Sequence, residues 1–313
     1  MKKLNLGKTK PVQSTLFCLS ILLLISSFAF FSVTLALSLA NISAGGQITF
    51  TAASKIEFTD YDDTNLTCSV KAKSSDISGD VVIPSTTIKD GKTYTITEIA
   101  ESAFSECHSL TDISIPDSIT IINEGAFFNC TSLNNVTIPS SVTSLGFAAF
   151  NGCSSFTSVT VPDSVTSLNC TFGGCTSLTN VYLPNSITTL ENGTFNTCTS
   201  LVDITIPDSV TLIGKSCFAE CTALTNITIP DAVTEIGDSA FLSCTSLTSI
   251  VIPINVTTIG DHAFANAGLT SATFKIPYWR AGSTVLSVSD IRDPATAATY
   301  LTTTYTNDTW KRG

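Results

Sequence analysis

The sequence predicts a right-handed β-solenoid of about eight 23-residue repeats, with short strands and few helices. Three residue types keep one period along the middle of the chain. Proline recurs at spacings of 23, 23, 22, 23, 23 and 23 residues from Pro116 to Pro253. Cysteine keeps the same spacings from Cys107 to Cys244, and phenylalanine keeps them from Phe104 to Phe264. Such a fixed period is typical of stacked repeats that bury one continuous core.

Residues 1–40 precede the periodic part and have the composition of an export segment. Four lysines lie in the first ten residues, and Leu16 to Ala40 contains no charged residue. The uncharged stretch exceeds the roughly 7–15 residues of a secretory signal and reaches the ~20 residues that span a membrane. Ser38-Leu39-Ala40 is nevertheless a plausible cleavage site. The segment is therefore either an uncleaved signal anchor or a cleaved signal peptide, and the repeats are expected outside the cell in both cases.

Residues 41–76 are predicted to form an N-terminal β-hairpin cap, because apolar residues alternate there with period 2. The first repeat begins with the strand that ends at Pro84, and about nine extra residues follow before Pro116. These extra residues are centred on Lys89-Asp90-Gly91-Lys92. Asp-Gly favours a tight turn, so a second hairpin is expected here.

One repeat, residues 107–129, shows how a coil is built. Leu110, Ile113 and Ile115 alternate in the manner of a strand with one buried face. Pro116 must end that strand, because proline cannot donate a ladder hydrogen bond. A second short apolar segment follows, and Phe127 marks the return to the next coil. One coil cannot bury this apolar set, so neighbouring coils are expected to bury it together.

The repeat reads C-x-x-L-x-x-I-x-I-P-x-x-[VI]-x-x-[IL]-G-x-x-A-F and resembles the BspA-like leucine-rich repeat, over residues 77–277. The resemblance implies a curved solenoid with the L-x-x-I-x-I strand on its concave side. It also implies adhesion to proteins of host or neighbouring cells, and no catalysis. The chain departs from the pattern at Phe156, which replaces the first leucine, and at Ala267, which replaces the cysteine. One residue is also missing between Leu168 and Phe172.

Residues 278–313 lack the period and are predicted to be a C-terminal cap or tail. Asp293-Pro294 precedes a short stretch rich in alanine and threonine. Aspartate before a helix and proline at its first position are both favourable, so a short helix is expected to start at Pro294.

Composition argues against two classes of function. The net charge is −10, and the four lysines of the first ten residues leave −14 for the remainder, which would repel nucleic acid. The chain has two histidines, His108 and His262, and no G-x-S-x-G motif. The sequence therefore predicts no enzyme, no catalytic residue and no cofactor.

Two groups of residues could hold a metal ion or form disulfides, but each has a simpler interpretation. The seven periodic cysteines are expected to be buried free thiols, since equivalent residues of adjacent coils point the same way. Disulfides and a zinc site remain alternatives, and the additional Cys170 and Cys217 are the expected sites of oxidation. Asp60, Asp62 and Asp63 are expected in a solvated turn, with a calcium site as the alternative. No metal site is predicted from either group.

The expected binding surface is the concave strand, whose outward positions vary from repeat to repeat. Most of them are small and polar, and Tyr182 is the single aromatic residue among them. The candidate binding residues are Asn135, Thr160, Asn180, Tyr182, Asp203, Thr205 and Thr228.

These observations predict an extracellular adhesion protein, secreted or held in the membrane by its N-terminal segment. Its expected partner is a protein or glycan on a neighbouring or host cell surface. Nine Asn-x-Ser/Thr sequons agree with export and permit glycosylation. The alternative is a structural component of the cell surface or matrix without a specific ligand.

Overall fold

A computed structural model of the chain describes residues 55–134 and 136–313, and it confirms the β-solenoid. The described residues belong to one compact unit. The predicted export segment, residues 1–40, and the first part of the predicted cap lie outside the described residues. Within the described ranges, no helix combines the length and the apolar character that crossing a membrane requires.

The N-terminal part contains two hairpins and the first strand of the solenoid. Its strands are β1 (Ile56–Asp62), β2 (Thr67–Ala72), β3 (Ser78–Val82), β4 (Thr86–Lys89) and β5 (Lys92–Ile99). β1 and β2 pair antiparallel, as do β4 and β5. Asp90 and Gly91 join β4 to β5 with φ of 51° and 77°. Positive φ at both turn residues suits a two-residue hairpin, so the Asp-Gly turn is confirmed.

The repeats contribute two sets of short strands. The first set lies just before the periodic prolines and forms what we call the strand face: β3 and then β6 (Ser109–Ser114), β9 (Ser158–Thr160), β11 (Asn180–Tyr182), β13 (Asp203–Ile204), β15 (Asn226–Ile227), β17 (Ser249–Ile252) and β19 (Ser271–Phe274). The second set follows the prolines: β7 (Ile121–Ile122), β8 (Ser144–Leu145), β10 (Ser167–Leu168), β12 (Thr189–Leu190), β14 (Leu212–Ile213), β16 (Glu235–Ile236) and β18 (Thr258–Ile259).

The two sets differ in how far their parallel ladders extend. After the prolines, β5, β7 and β8 form one run, and β10 to β18 form a second run of five strands. On the strand face the strands pair only two by two: β3 with β6, β9 with β11, β13 with β15, and β17 with β19. The coils are therefore less completely joined on the strand face.

The third side of each coil, which we call the phenylalanine turn, joins all of the coils. The N–H of each periodic phenylalanine from Phe104 to Phe241 donates to a carbonyl of the next coil at 2.7–3.0 Å. Two residues of each turn have positive φ, one before and one after the phenylalanine, as Gly125 and Asn129 do. This alternation of backbone conformation directs three N–H groups of each turn toward the next coil, a feature that the sequence analysis did not predict.

The core is one column of side chains that continues from coil to coil. The rings from Phe104 to Phe264 are fully buried and stack with centroids 5.0–5.9 Å apart. Phe156, which replaces the leucine of the pattern, is also buried and stacks on Phe150 at 5.7 Å. The departure at this position therefore fills the core with a larger side chain.

The C-terminal part closes the solenoid with elements that the sequence analysis largely missed. They are β20 (Trp279–Ala281), β21 (Thr284–Val285), α1 (Val288–Arg292), α2 (Pro294–Thr299), a π-helical turn (Tyr300–Thr304) and β22 (Trp310–Arg312). The predicted helix is α2, and the Asp293 side chain accepts the N–H of Thr296 at 2.8 Å. β22 pairs antiparallel with β18 and so covers the edge of the last coil.

Candidate binding site on the strand face

A cavity of about 340 Å³ opens on the strand face between β11 and β13. Its polar lining comes from Asn180, Tyr182, Asn185, Asp203 and Thr205. Its apolar lining comes from the residues between them: Val181, Leu183, Ile204 and Pro207. The cavity is therefore an amphipathic depression with polar groups at its rim and the edge of the core at its base.

The cavity lies where the hydrogen bonding between coils is interrupted. Among the described residues, no backbone hydrogen bond joins β11 to β13. The residue just before β11, β15 and β19 is a threonine whose hydroxyl donates to a backbone carbonyl of the preceding coil at 3.1–3.3 Å. These residues are Thr179, Thr225 and Thr270. Val202 takes this position in the coil of β13 and has no hydroxyl to donate. The coil that contains β11 also follows the missing residue between 168 and 172.

Tyr182 presents its ring to solvent at the rim of this cavity. Its side chain is 64% exposed, whereas the preceding Val181 is 9% exposed and packs inward. Its neighbour toward the N-terminus is Thr160, which is paired with it in register on β9. Val202, one coil further on, is also exposed but lies outside the cavity lining. Alternation along the strand thus places the tyrosine outward, as the sequence predicted.

Asp203 carries the only charge in the cavity lining. Its side chain is exposed, and no hydrogen bond or ion pair engages its carboxylate among the described residues. The neighbouring Asn180 uses its amide group to donate to Thr179 Oγ1 at 2.9 Å. No histidine, lysine, arginine or cysteine lines the cavity.

The structure brings four of the seven candidate binding residues together. Asn180, Tyr182, Asp203 and Thr205 line the cavity. Thr160 lies beside Tyr182, and Thr228 is exposed one coil beyond Thr205. Asn135 lies outside the described residues. Sequence reasoning missed Asn185 and the cavity itself, although Val202 in the position of Thr179 and Thr225 was a signal at this junction.

The periodic cysteines form a buried thiol ladder on the inner side of the phenylalanine turn. From Cys130 to Cys244 each Sγ donates to the carbonyl oxygen of a phenylalanine in the preceding coil at 3.0–3.3 Å. Every cysteine among the described residues is free, which confirms the expected thiols. Burial raises the pKa of the Cys107 thiol to about 11 and that of Cys244 to about 12. Protonated, shielded thiols of this kind are poor nucleophiles.

The expectation that Cys217 is a site of oxidation is wrong. Its side chain is fully buried, and burial raises the pKa of its thiol well above the ordinary value. Cys170 is partly exposed, and Asn151 Nδ2 donates to its Sγ at 3.3 Å. Only this second cysteine has the accessibility that the expectation required.

The acidic turn between β1 and β2 is held by its own hydrogen bonds. Asp62 accepts the N–H groups of Thr64 and Asn65 at 2.8 and 3.1 Å. Asp63 pairs with Lys92 at 2.7 Å and accepts the Tyr94 hydroxyl at 2.5 Å. The hydrogen bond from Lys92 is the main reason that the pKa of Asp63 is lowered. In residues 55–134 and 136–313, no cluster of three histidines, cysteines or acids has an arrangement suited to a metal ion.

Comparison with known proteins agrees with this fold. The family described as BspA type leucine rich repeat region matches residues 97–181 and 169–287, in six copies. A leucine-rich repeat protein from Bacteroides ovatus is 27% identical, with a TM-score of 0.56 over 72% of this chain and 71% of the other. A leucine rich cell surface protein from Faecalibacterium prausnitzii is also 27% identical, with a TM-score of 0.49 over 75% and 76%. No curated protein matches the chain.

Proposed function

Because the chain belongs to the BspA-type leucine-rich repeat family, we propose that it is an extracellular binding protein that attaches to a neighbouring or host cell. The strand face is the proposed contact surface, and the cavity beside Tyr182 is its centre. The family membership and the solenoid are established features of the chain. The location, the ligand and the adhesive role are the proposal.

One observation carries the proposal: an exposed tyrosine stands at the rim of a 340 Å³ cavity on a face that is otherwise small and polar. Tyrosine is a common anchor of binding surfaces, because its rigid amphipathic ring gives large contact area at low entropic cost. Val202, which is 47% exposed, adds apolar surface to the strand face one coil further on. Isolated exposed apolar residues are normal on proteins, but Tyr182 stands at the rim of a cavity.

The proposed location outside the cell rests on residues 1–40, which lie outside the described residues. Lysines followed by 25 uncharged residues are typical of an export segment, whether cleaved or retained. Sequons within the described repeats are compatible with this location, since Asn192 and Asn226 are exposed. Glycosylation of these residues belongs to the same proposal.

We propose binding rather than catalysis because of what lines the cavity. Its one ionisable carboxylate, Asp203, has no histidine, lysine or cysteine beside it in the lining. Nucleophilic and acid–base catalysis usually need a paired nucleophile and base within hydrogen-bond reach. The lining fits recognition of a partner side chain more closely.

The test is saturation binding of the fluorescently labelled full chain to intact epithelial cells and intact bacteria. We expect saturable binding, and we expect Tyr182→Ala to weaken it by about 5–30-fold, equivalent to roughly 1–2 kcal/mol. Tyr278→Ala is the matched control, because Tyr278 is 60% exposed but lies outside the cavity. That variant should bind as the unmodified chain does.

Two results would contradict the proposal. Non-saturable association with every cell type would indicate a structural surface or matrix component, which is the alternative that the sequence leaves open. Equal binding by Tyr182→Ala and Tyr278→Ala would show that the cavity does not contribute to attachment.

A further inference from the structure

We propose that the Tyr182 cavity receives an arginine or lysine side chain from a basic segment of the partner protein. This inference rests on the proposed binding function of the strand face and specifies the chemistry of its ligand. It follows from the unpaired carboxylate of Asp203, the exposed ring of Tyr182 and the charge of the chain.

The carboxylate of Asp203 has no cationic partner among the described residues. No described lysine or arginine pairs with it, although Asp63, Asp231 and Asp238 each have a lysine partner at 2.6–3.9 Å. An exposed carboxylate at the rim of a cavity attracts a cation and repels an anion. The cavity therefore prefers a partner group with positive charge.

Asp203 lies on the strand next to that of Tyr182, at a distance that one cation could bridge. Asp203 occupies in its coil the place that Asn180 occupies in the preceding one, so it lies diagonally across from Tyr182. Coils separated by ~4.8 Å and residues two apart along a strand give a Cα separation of roughly 8 Å. A cation between them would lie within about 6 Å of the ring centroid and within hydrogen-bond distance of the carboxylate.

The size and lining of the cavity also suit one basic side chain. Its 340 Å³ lies near the lower end of ligand pockets, which are roughly 300–1,000 Å³. This space suits one side chain more closely than a folded ligand. Asn180 and Asn185 add amide oxygens to the cavity lining, and these are acceptors for the several N–H groups of a guanidinium.

The charge of the whole chain supports the same partner. Beyond the first ten residues the net charge is −14. A surface of this sign raises the rate of encounter with basic segments and disfavours acidic ones. A neutral glycan would gain nothing from this field, so a basic protein segment is the partner that the observations favour.

The experiment uses the full chain and a short Gly/Ser peptide that carries arginines and a fluorescent label. The matched peptide carries citrulline, which has a similar shape but no charge. We expect the arginine peptide to bind and the citrulline peptide to bind at least tenfold more weakly. Asp203→Asn and Tyr182→Ala should each weaken arginine-peptide binding by about three- to tenfold, and added salt should weaken it further.

Asp112→Asn is the matched control for charge. Asp112 is exposed and occupies the equivalent place on β6, but Val82 of the preceding strand β3 stands in place of the tyrosine. Its removal lowers the net negative charge by the same amount as Asp203→Asn, and it should leave peptide affinity almost unchanged. Equal losses for both aspartate variants would show general charge attraction and would overturn the proposed site.

The outcomes separate this inference from the proposed function. If Tyr182→Ala abolishes cell attachment while Asp203→Asn attaches normally, the basic partner is wrong and the binding surface stands. Competition by cell-surface glycans, with no binding of the arginine peptide, would also overturn the basic partner in favour of a carbohydrate. If both variants attach normally, both proposals fail. Circular dichroism should show that Asp203→Asn folds normally, since its carboxylate has no partner to lose.

Discussion

The phenylalanine turn and the strand face are two sides of the same coils, but they differ in how regularly adjacent coils are hydrogen-bonded and packed. On the turn, a backbone hydrogen bond joins every pair of adjacent coils from Phe104 to Phe264, and the rings stack throughout. On the strand face, strands pair only two by two, and the outward residues change from coil to coil. The cavity lies at one of the junctions without ladder hydrogen bonds.

This difference shows at which positions of the coil the repeat tolerates a change of residue. A turn residue contacts its equivalents in both neighbouring coils, so its size and backbone conformation must match theirs. An outward residue of the strand face does not pack into the core, so Tyr182 can replace threonine without disturbing the core. Regular packing on one side thus leaves the other side free to present a binding surface.

The largest expected effect is alkaline unfolding through the cysteines of the turn. Burial raises the pKa of Cys107 to about 11 and of Cys244 to about 12, against an ordinary value of 9.0. Below that value the thiols are protonated in both states and stability is unaffected. As pH rises from 9 toward 11, the unfolded chain loses protons first and becomes favoured. Each ladder cysteine should then lower the free energy of unfolding by about 1.4 kcal/mol per pH unit.

Urea titrations at a series of pH values measure this effect, and Cys198→Ala isolates it. Burial raises the pKa of Cys198 well above its ordinary value, so its removal should flatten the pH dependence by the contribution of one cysteine. Parallel pH profiles for the variant and the unmodified chain would show that the ladder thiols do not control stability.

The next effect compares the two sides directly. Phe195 is fully buried between Phe172 and Phe218, with ring centroids 5.9 and 5.6 Å away. Phe195→Ala should lower the free energy of unfolding by about 3–5 kcal/mol, because it removes packing and leaves a cavity. Tyr182→Ala should change it by less than about 0.5 kcal/mol.

Urea unfolding of the two variants tests this contrast, with Phe195→Leu as the control that retains most of the volume. That variant should cost less than about 1.5 kcal/mol. Similar losses for Phe195→Ala and Tyr182→Ala would contradict the division of the coil into a packed side and an exposed side.

The periodic part of the fold was predictable because each core residue recurs at the same place. The Phe and Cys spacings determined the coil, and alternation around Val181 placed Tyr182 outward. The C-terminal closure was not predictable in this way, since β22 pairs with β18 through contacts between residues about fifty positions apart. Trp279 and Trp310 are buried together there, yet neither belongs to a local pattern.

The cavity was only partly predictable. The sequence identified Asn180, Tyr182, Asp203 and Thr205 as outward residues, since strand periodicity determines that much. The opening between β11 and β13 depends on how two coils stack, and the sequence marks this junction only by Val202 in a position that threonine takes at Thr179 and Thr225. Small shifts between coils leave no periodic signal in the chain.

A smaller, stabilising effect is expected at a strained position of the turn. Thr197 has φ of 59°, whereas glycine takes the equivalent position with φ of 77° at Gly152 and 72° at Gly174. A left-handed backbone conformation destabilises a residue that has a Cβ by about 1–2 kcal/mol. Glycine avoids this cost, but its greater conformational entropy in the unfolded chain offsets part of the stabilisation. Thr197→Gly should therefore raise the free energy of unfolding by about 0.5–1 kcal/mol.

Thermal unfolding measures this change, and Thr199→Gly is the control two residues along, outside the positive-φ positions. The control should lower the melting temperature, because glycine brings entropy there without relieving strain. Stabilisation by both substitutions would show that the left-handed conformation of Thr197 is not the cause.

The smallest expected effect concerns the junction at which the two sides differ most. Thr179, Thr225 and Thr270 bond to the preceding coil through their hydroxyls, and Val202 lacks this group. Val202→Thr should supply a hydroxyl for the Thr179 carbonyl and raise the free energy of unfolding by about 0.5 kcal/mol, since a hydrogen bond at an exposed site adds little. The same change should draw the coils of β11 and β13 together at the cavity and remove exposed apolar surface from the strand face, so cell attachment should weaken by about two- to threefold. Urea unfolding and cell binding, both measured on Val202→Thr and on the isosteric control Thr225→Val, test whether this hydrogen bond affects stability and attachment. If Val202→Thr stabilises the chain and binds more tightly, the open junction is not what makes this part of the strand face a binding site.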